Sequence, residues 1–220
     1  VLVQERFKDY NKQHCWQYEI RLQNLEKDLK EIGLSKAEAE QLRTSDFNFA
    51  YVDKTDKETC AEIKQFIKRH EWLGKLPIWI THRFIVRHIK TQAMAGVVIM
   101  ATPNTFSNLL GEENKGLEKL ISRGACISWT PKNLGSWMIT KSINWMVQNT
   151  KFRYFTAYSD PEAKELGTIY QACNFYYLGQ TFGAGKQFLD PDNIERGWFG
   201  SSGFSDRSQI VRYAKALGIE

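Results

Sequence analysis

The segment from Thr130 to Ser136 has residue types that could hold an anion at the start of a helix. A strand-like run, ACISWT, enters this loop, and a helix-like run, WMITKSINWMVQN, leaves it. The first N–H groups of a helix have no partners inside the helix, and the helix dipole adds positive charge there. Lys132 would add a cation, and Ser136 could cap the helix. The alternative is a plain strand-to-helix turn, because Gly135 alone does not make a glycine-rich loop.

Tyr170 lies in the second segment that could do chemistry, GTIYQACNFYYLG, which begins with helical spacing and ends as an aromatic, strand-like run. The helix follows a strand that ends at Asp160. If that strand and ACISWT are parallel neighbours, their carboxyl ends splay around one crevice, and Tyr170 would face it. Two alternatives stay open: Tyr170 could be a core aromatic, and Asp160 could cap the next helix.

His70 and the cysteines are further candidates for chemistry. His70 ends a helix-like run and could be a surface histidine; it could also join Asp160 in a metal site, but two ligands do not make a coordination sphere. The four cysteines lie far apart and form no C-x-x-C pair, which excludes a zinc ribbon or redox motif. Cys173 has no local histidine partner, so a thiolate nucleophile is not expected.

The composition is that of a globular protein with a mildly basic balance. The 220 residues are 42% hydrophobic and 25% charged, with a formal net charge of +5 and a pI near 8.9. This charge suits an anionic partner such as nucleic acid or a phosphorylated cofactor. The sequence shows no signal peptide and no long apolar run, so we expect a cytoplasmic protein with reduced thiols and no membrane partner.

The first forty or so residues predict two helices. Apolar residues recur on one helical face, at Leu22, Leu25, Leu29 and Ile32. Gly33 suits a C-cap, and Ser35 with Glu38 forms a capping box for a second helix over 36–43. This extension either packs on its own domain or contacts a partner or DNA.

From Phe47 the pattern predicts one mixed sheet with helices. A strand, FNFAYVD, and a helix, KETCAEIKQFIKRH, precede a hairpin of IWITHRFIVRHI and AMAGVVIMA with its turn near Lys90–Gln92. A loop with a short helix follows, and then strand, helix, strand, helix and strand. The order indicates an α/β (α+β) fold on a mixed sheet. We divide the chain into a helical extension (1–44), a core (45–182) and a C-terminal segment (183–220).

The C-terminal segment is expected to be irregular, and it interleaves basic residues such as Arg207 with aromatic ones. Such residues could grip phosphates and stack an unpaired base. The alternative is a segment that packs its aromatic side chains on the core.

The segments CISWTPKNLGSWMITKSINWM, FRYFTAYSD and ELGTIYQACNFYYLG resemble the second half of the GNAT N-acyltransferase fold. The resemblance covers about 47–179. It implies that the loop and the following helix start bind the pyrophosphate of acetyl-CoA or another acyl-CoA, and that Tyr170 protonates the departing thiolate. The implied cofactor residues are Ser128, Thr130, Lys132, Asn133, Gly135, Ser136 and Arg123. Three, four and six residues after the loop proline, the family has an arginine and two glycines. Counted from Pro131, this chain has Leu134, Gly135 and Trp137 at these positions, so it keeps one of the three family residues.

A narrower segment, AYSDPEAKELGTIYQACNFYYLG, is similar to a signature of the phage DNA-modification protein Mom and its relatives. In that signature an aspartate after a strand precedes G-T-x-Y-Q-A-x-N-aromatic and a closing Tyr-x-Gly. HEWLG, from His70, resembles the histidine-containing turn of the same family. Where the family has Gly–His before the G–T pair, this chain has Lys164 and Glu165 nearby.

This resemblance implies an enzyme that modifies adenine in DNA at its exocyclic amine and so evades restriction. The base would have to be flipped or unpaired. Tyr170 would act as general acid or orient the transferred group, and Asp160 would position the amine or accept its proton, with His70 as a third catalytic candidate. The implied substrate contacts are Tyr158, Gln171, Asn174 and Arg207.

Two other functions stay open. One is an acyl-CoA-dependent N-acetyltransferase of a small amine, a protein or an aminoacyl-tRNA. The other is a degenerate acyltransferase fold that binds nucleic acid or protein. DNA is the expected partner. Two points are left undecided: whether His70 and Asp160 bind a metal ion, and whether the protein forms a homodimer.

Overall fold

The computed structural model describes residues 15–103, 111–160, 163–182, 187–189, 198–200 and 209–217. The helices are α1 (Trp16–Ile32), α2 (Lys36–Gln41), α3 (Lys57–His70), α4 (Leu134–Asn149) and α5 (Thr168–Ala172). The strands are β1 (Phe47–Val52), β2 (Ile80–His88), β3 (Met94–Ala101), β4 (Glu118–Cys126), β5 (Tyr154–Ser159), β6 (Tyr176–Phe182), β7 (Gln187–Leu189), β8 (Trp198–Gly200) and β9 (Gln209–Ala216). Short 3₁₀ helices cover Thr44–Asp46 and Glu112–Leu117. Arg207 lies outside the described residues.

Local capping explains where the first two helices begin and end. Gly33 adopts φ 65°, and its backbone N–H caps α1. The predicted capping box opens α2: the Glu38 N–H donates to Ser35 Oγ at 3.2 Å, and the Ser35 N–H donates to Glu38 Oε2 at 2.8 Å. The helix is shorter than predicted because Leu42 is already extended.

Seven strands form one mixed sheet in the order β1-β2-β3-β4-β5-β9-β6. The predicted β2–β3 hairpin is confirmed, and Gln92 in its turn has φ 59°. β4 and β5 are parallel neighbours, which is the condition on which the predicted crevice depends, while the other neighbours in this sheet are antiparallel. β4 begins at Glu118, inside the region predicted as loop and short helix, and it ends before the SWT part of the predicted strand.

Both faces of the sheet are covered at β3, since all eight of its residues are buried. A Cβ at Gly96 would lie 2.8 Å from Met138 Sδ, so α4 covers the Gly96 face. α3 also packs on β3 and β4. Within the described residues, no helix combines the length and apolar character needed to cross a membrane.

The expectation of irregular structure after Gly179 is wrong for the described C-terminal residues. β6 continues to Phe182, and β9 inserts between β5 and β6 with antiparallel pairing on both sides. The β9 sequence, QIVRYAKA, has no clear alternation, so only its pairing with two distant strands makes it a strand. The division at 44 and 182 stays a prediction.

Candidate active site

A crevice opens where β4 and β5 stop pairing. Their last paired residues are Ile121 and Ala157, beyond which β4 continues to Cys126 and β5 to Ser159. The carboxyl ends therefore diverge, as predicted, toward the loop that follows β4 and toward α5. Two buried atoms of these segments, Ser159 Oγ and Trp129 Nε1, have no hydrogen-bond partner among the described residues.

The first turn of α4 presents two open amides. Leu134 N–H donates to Pro131 O at 3.1 Å, and Trp137 N–H donates to Asn133 O at 3.0 Å. The N–H groups of Gly135 and Ser136, which lie between these two residues in the chain, have no acceptor in the part of the chain that the structure describes. Open amides at a helix start can hold an anion.

Ser136 does not cap α4, so this prediction is wrong. Its Oγ donates to Asn133 O at 3.1 Å instead of accepting a backbone N–H. Asn133 is the N-cap residue, but its side chain makes no capping bond. The side chains of Lys132 and Asn133 are exposed beside the helix start, where they are available to a ligand.

Gly135 brings α5 against the start of α4. A Cβ on Gly135 would lie 2.9 Å from Ile169 Cδ1, so the end of the Ile169 side chain would have to shift. Cys173 Sγ, just after α5, donates to Ser136 O at 3.4 Å. The helix of Tyr170 therefore packs beside the start of α4.

Tyr170 is half-buried on α5, and its ring centroid lies 5.6 Å from that of Phe175. Asn174 has φ 58° and ends the helix: its N–H donates to Gln171 O, and Phe175 N–H donates to Tyr170 O, both at 3.0 Å. This is a Schellman motif, in which asparagine tolerates the left-handed conformation. Gln171 Nε2 donates to Leu166 O at 3.2 Å. Gln171 and Asn174 thus shape the helix, and their contact with substrate stays a prediction.

The two predicted blocks, HEWLG and the segment after β5, meet at Glu165. Trp72 Nε1 donates to Glu165 Oε1 at 2.9 Å, and the Asp160 N–H donates to Glu165 Oε2 at 3.0 Å. Although the residue is half-buried overall, its carboxyl group is enclosed. That burial, with the nearby charge of Glu71, raises the pKa of Glu165 to about 8. Glu165 therefore keeps its proton at neutral pH and ties buried Asp160 to residues 71–74 after α3, here called the Trp72 turn.

Glu165 was missed as a site residue. The sequence showed only a departure from the family's Gly–His pair at this point. Its role depends on burial against Trp72, a residue 93 positions away in the chain, which no local pattern contains.

His70 is buried at the end of α3, and its ring lies 4.6 Å from Phe66. The alternative of a surface histidine is therefore wrong. Burial lowers the pKa of His70 to about 4, although Asp28, whose Oδ2 lies 3.8 Å from Nδ1, opposes the shift. His70 is thus neutral at pH 7. Among the described residues, no group of three or more His, Cys, Asp or Glu residues could hold a metal ion.

The remaining predicted residues lie on both sides of the crevice. Arg123 follows a bulge in β4, donates to Lys75 O at 2.8 Å, and lowers the pKa of Glu165 against the larger effect of burial. Arg123 therefore lies near Glu165. Tyr158 is half-buried on β5. Ser128 and Thr130, in the loop after β4, already use their hydroxyl groups: they donate to Asp28 Oδ2 at 2.6 Å and to Ile127 O at 2.9 Å.

Comparison with known proteins identifies both the family and the fold. A model of the Mom protein family matches residues 50–194, which is more than half of the chain. The match includes the crevice, the Trp72 turn and α5, but it excludes α1. No protein with a curated description matches the chain.

Solved structures similar to this chain include acetyltransferases. A putative acetyltransferase from Salmonella typhimurium, solved with its cofactor acetyl-CoA, has 9% identity, a TM-score of 0.51, and coverage of 79% of this chain and 95% of its own. Arabidopsis thaliana NAA60 in complex with acetyl-CoA has 9% identity, a TM-score of 0.49, and coverage of 79% and 99%. A Bacillus subtilis acetyltransferase in complex with CoA has 10% identity, a TM-score of 0.45, and coverage of 78% and 99%. The predicted GNAT-like fold is confirmed.

Proposed function

The chain belongs to the Mom protein family, and from this premise we propose that it is a transferase that adds a small group to the exocyclic amine of adenine in DNA. The observation that carries the proposal is the meeting of HEWLG and the Asp160 segment at Glu165, beside the splayed ends of β4 and β5. Both blocks that resemble the family signature thus contact the same buried carboxyl group, which supports the proposal.

The donor side of the site is the start of α4. The open amides of Gly135 and Ser136 fit the anionic part of an acyl-CoA, and exposed Lys132 adds positive charge. The arginine that the GNAT family has in this loop is Leu134 here, so backbone N–H groups would supply most of the hydrogen bonds to the pyrophosphate. Acyl-CoA, when bound, supplies an acyl group activated as a thioester. Tyr170, on the adjacent helix, would donate a proton to the departing sulfur.

The acceptor side is the Asp160 segment. The adenine amine is a weak nucleophile because its lone pair is delocalised into the ring, so attack needs a group that removes its proton. Asp160 is buried next to the protonated Glu165, and it would orient the amine and accept this proton. An adenine paired in a duplex cannot reach a recessed carboxylate, so the base would be flipped or unpaired.

Adenine in DNA is the readout that tests this function. The protein is expressed in a bacterium, and its DNA is digested to nucleosides and analysed by mass spectrometry. We expect a deoxyadenosine of increased mass. A pool of unmodified adenine in cells that contain the soluble, folded protein would refute the proposal.

The role of Tyr170 is tested by Tyr170→Phe in the same assay. Loss of a general acid lowers the rate by about 10²–10⁴-fold, so modified adenine should fall to traces. The matched control is Tyr176→Phe, which removes the hydroxyl of a tyrosine that is 74% exposed. Undiminished modification by Tyr170→Phe would remove the phenol from the mechanism.

A second candidate, an acyl-CoA-dependent N-acetyltransferase of another amine, is favoured by the two open amides of α4. Acetyl-CoA binding measured by calorimetry, together with unmodified DNA, would support it over adenine modification.

A further inference from the structure

Helix α1 lies outside the residues that the family model matches, yet it contacts the loop after β4. Arg21 and Asp28 are seven residues apart, about two helical turns, and so lie on the same face of α1. Both side chains reach the loop, which connects β4 to the proposed donor site at α4. α1 therefore does more than cover the apolar core.

Asp28 joins three elements through one buried carboxylate. The residue is fully buried, and its Oδ2 accepts a hydrogen bond from Ser128 Oγ at 2.6 Å. Its Oδ1 binds the guanidinium of Arg69 on α3, and Arg69 also binds Glu31 at 2.8 Å. A buried carboxylate is stable only with such partners, so α1, α3 and the loop must stay together for Asp28 to remain satisfied.

Arg21 holds the backbone of the same loop. Its Nη2 donates to Ser128 O at 3.1 Å, to Thr130 O at 3.3 Å and to Thr130 Oγ1 at 3.2 Å. The carbonyl and N–H of a trans peptide point in opposite directions, so the N–H of Trp129 points away from Arg21. Arg21 thereby sets the orientation of the peptide groups that lead into α4.

We propose that α1 is part of the donor site, with Arg21 and Asp28 as positioning residues that hold residues 127–133 in the conformation leading to the open amides of Gly135 and Ser136. This inference rests on the proposed function for the identity of the donor. The ordering of the loop by α1 does not depend on it.

Hydrogen–deuterium exchange measured by mass spectrometry in the free protein tests the ordering of the loop. The variants are Arg21→Met, which keeps an apolar stem, and Asp28→Asn, which keeps the shape. Their controls are Lys27→Met and Glu26→Gln, which make the same charge changes at exposed positions of α1. We expect exchange in 127–133 to be at least 10-fold faster in Arg21→Met and Asp28→Asn, and within two-fold of wild type in the two controls.

Unchanged exchange in 127–133 of the folded variants would overturn the inference. If Asp28→Asn fails to fold because Arg69 loses one of its two carboxylate partners, Arg21→Met decides the outcome alone, since Arg21 donates only to the loop in the part of the chain described. Arg21→Lys keeps the charge without the guanidinium fork, and it should restore slow exchange in part.

Calorimetry with acetyl-CoA separates positioning of the donor site from a merely structural role. We expect the Kd to rise about 10-fold in Arg21→Met and to stay within two-fold of wild type in Lys27→Met. An unchanged Kd despite a loosened loop would overturn the positioning role. If the wild type neither binds acetyl-CoA nor modifies adenine, the proposed function fails, and the exchange rates alone then decide whether α1 orders the loop.

Discussion

Glu165 makes the stability of the protein depend on pH in a direction unusual for a carboxylate. Its folded pKa is about 8, against an ordinary 4.5, because burial and Glu71 disfavour the charged form. Between these two values the folded protein binds a proton that the unfolded chain releases. The stability that Glu165 contributes is therefore complete below pH 4.5, and it is lost as the pH rises toward 8.

The perturbation that isolates this effect is Glu165→Gln, which resembles the protonated acid but cannot ionise. One pKa unit corresponds to about 1.4 kcal/mol, so the ideal change between pH 5 and pH 7 is about 2.5 kcal/mol. Because the residue is only half-buried, we expect between about 1 and 2.5 kcal/mol. The amide also places an NH₂ group against one of two donors, Trp72 Nε1–H or Asp160 N–H, which adds a penalty that does not vary with pH.

Urea unfolding at pH 5, 6 and 7, at constant ionic strength, measures the free energy of unfolding of wild type and variant. The difference between them is the quantity of interest, because titration of the histidines cancels in it. Wild type should lose stability relative to Glu165→Gln as the pH rises, whereas exposed Glu26→Gln should show a nearly constant difference. A difference for Glu165→Gln that is constant within about 0.5 kcal/mol would show that Glu165 is not held in its protonated form.

Three further predictions concern the elements that carry the site. His70 has a folded pKa of about 4, below its ordinary value, so its contribution to stability should be lost as the pH falls from 6.5 to 4; His70→Gln should flatten this part of the urea-derived stability profile. Gly135→Ala should lower the stability by less than about 1 kcal/mol, because the contact at 2.9 Å is with the end of the Ile169 side chain, which is 38% exposed and can move; a loss above about 2 kcal/mol in thermal unfolding would show that Ile169 is held in place. Asn174→Gly should leave the stability nearly unchanged, while Asn174→Ala should cost about 1–2 kcal/mol because of its φ of 58°; similar unfolding midpoints for the two variants would contradict the role of this φ.

Local interactions account for the parts of the structure that the sequence predicted. The Ser35–Glu38 capping box, the Gly33 C-cap and the β2–β3 hairpin each depend on residues a few positions apart. The block around Tyr170 is likewise continuous, so its short helix and following strand could be read from thirteen consecutive residues, 167–179. The order of strands and helices likewise predicted that the start of α4 lies where the carboxyl ends of β4 and β5 diverge.

The tertiary structure decided what depends on distant partners. β9 is a strand because it fills the space between β5 and β6, and the pKa of Glu165 is raised because its carboxyl group is buried where distant segments pack together. Asp28 and Ser128 are 100 positions apart in the chain, and their hydrogen bond makes α1 a neighbour of the loop after β4. Burial and charge depend on which segments pack together, and periodicity along the chain carries no information about that. The sequence by itself thus determined the block around Tyr170 and the fold family, whereas the raised pKa of Glu165 and the position of α1 against the loop followed only from packing.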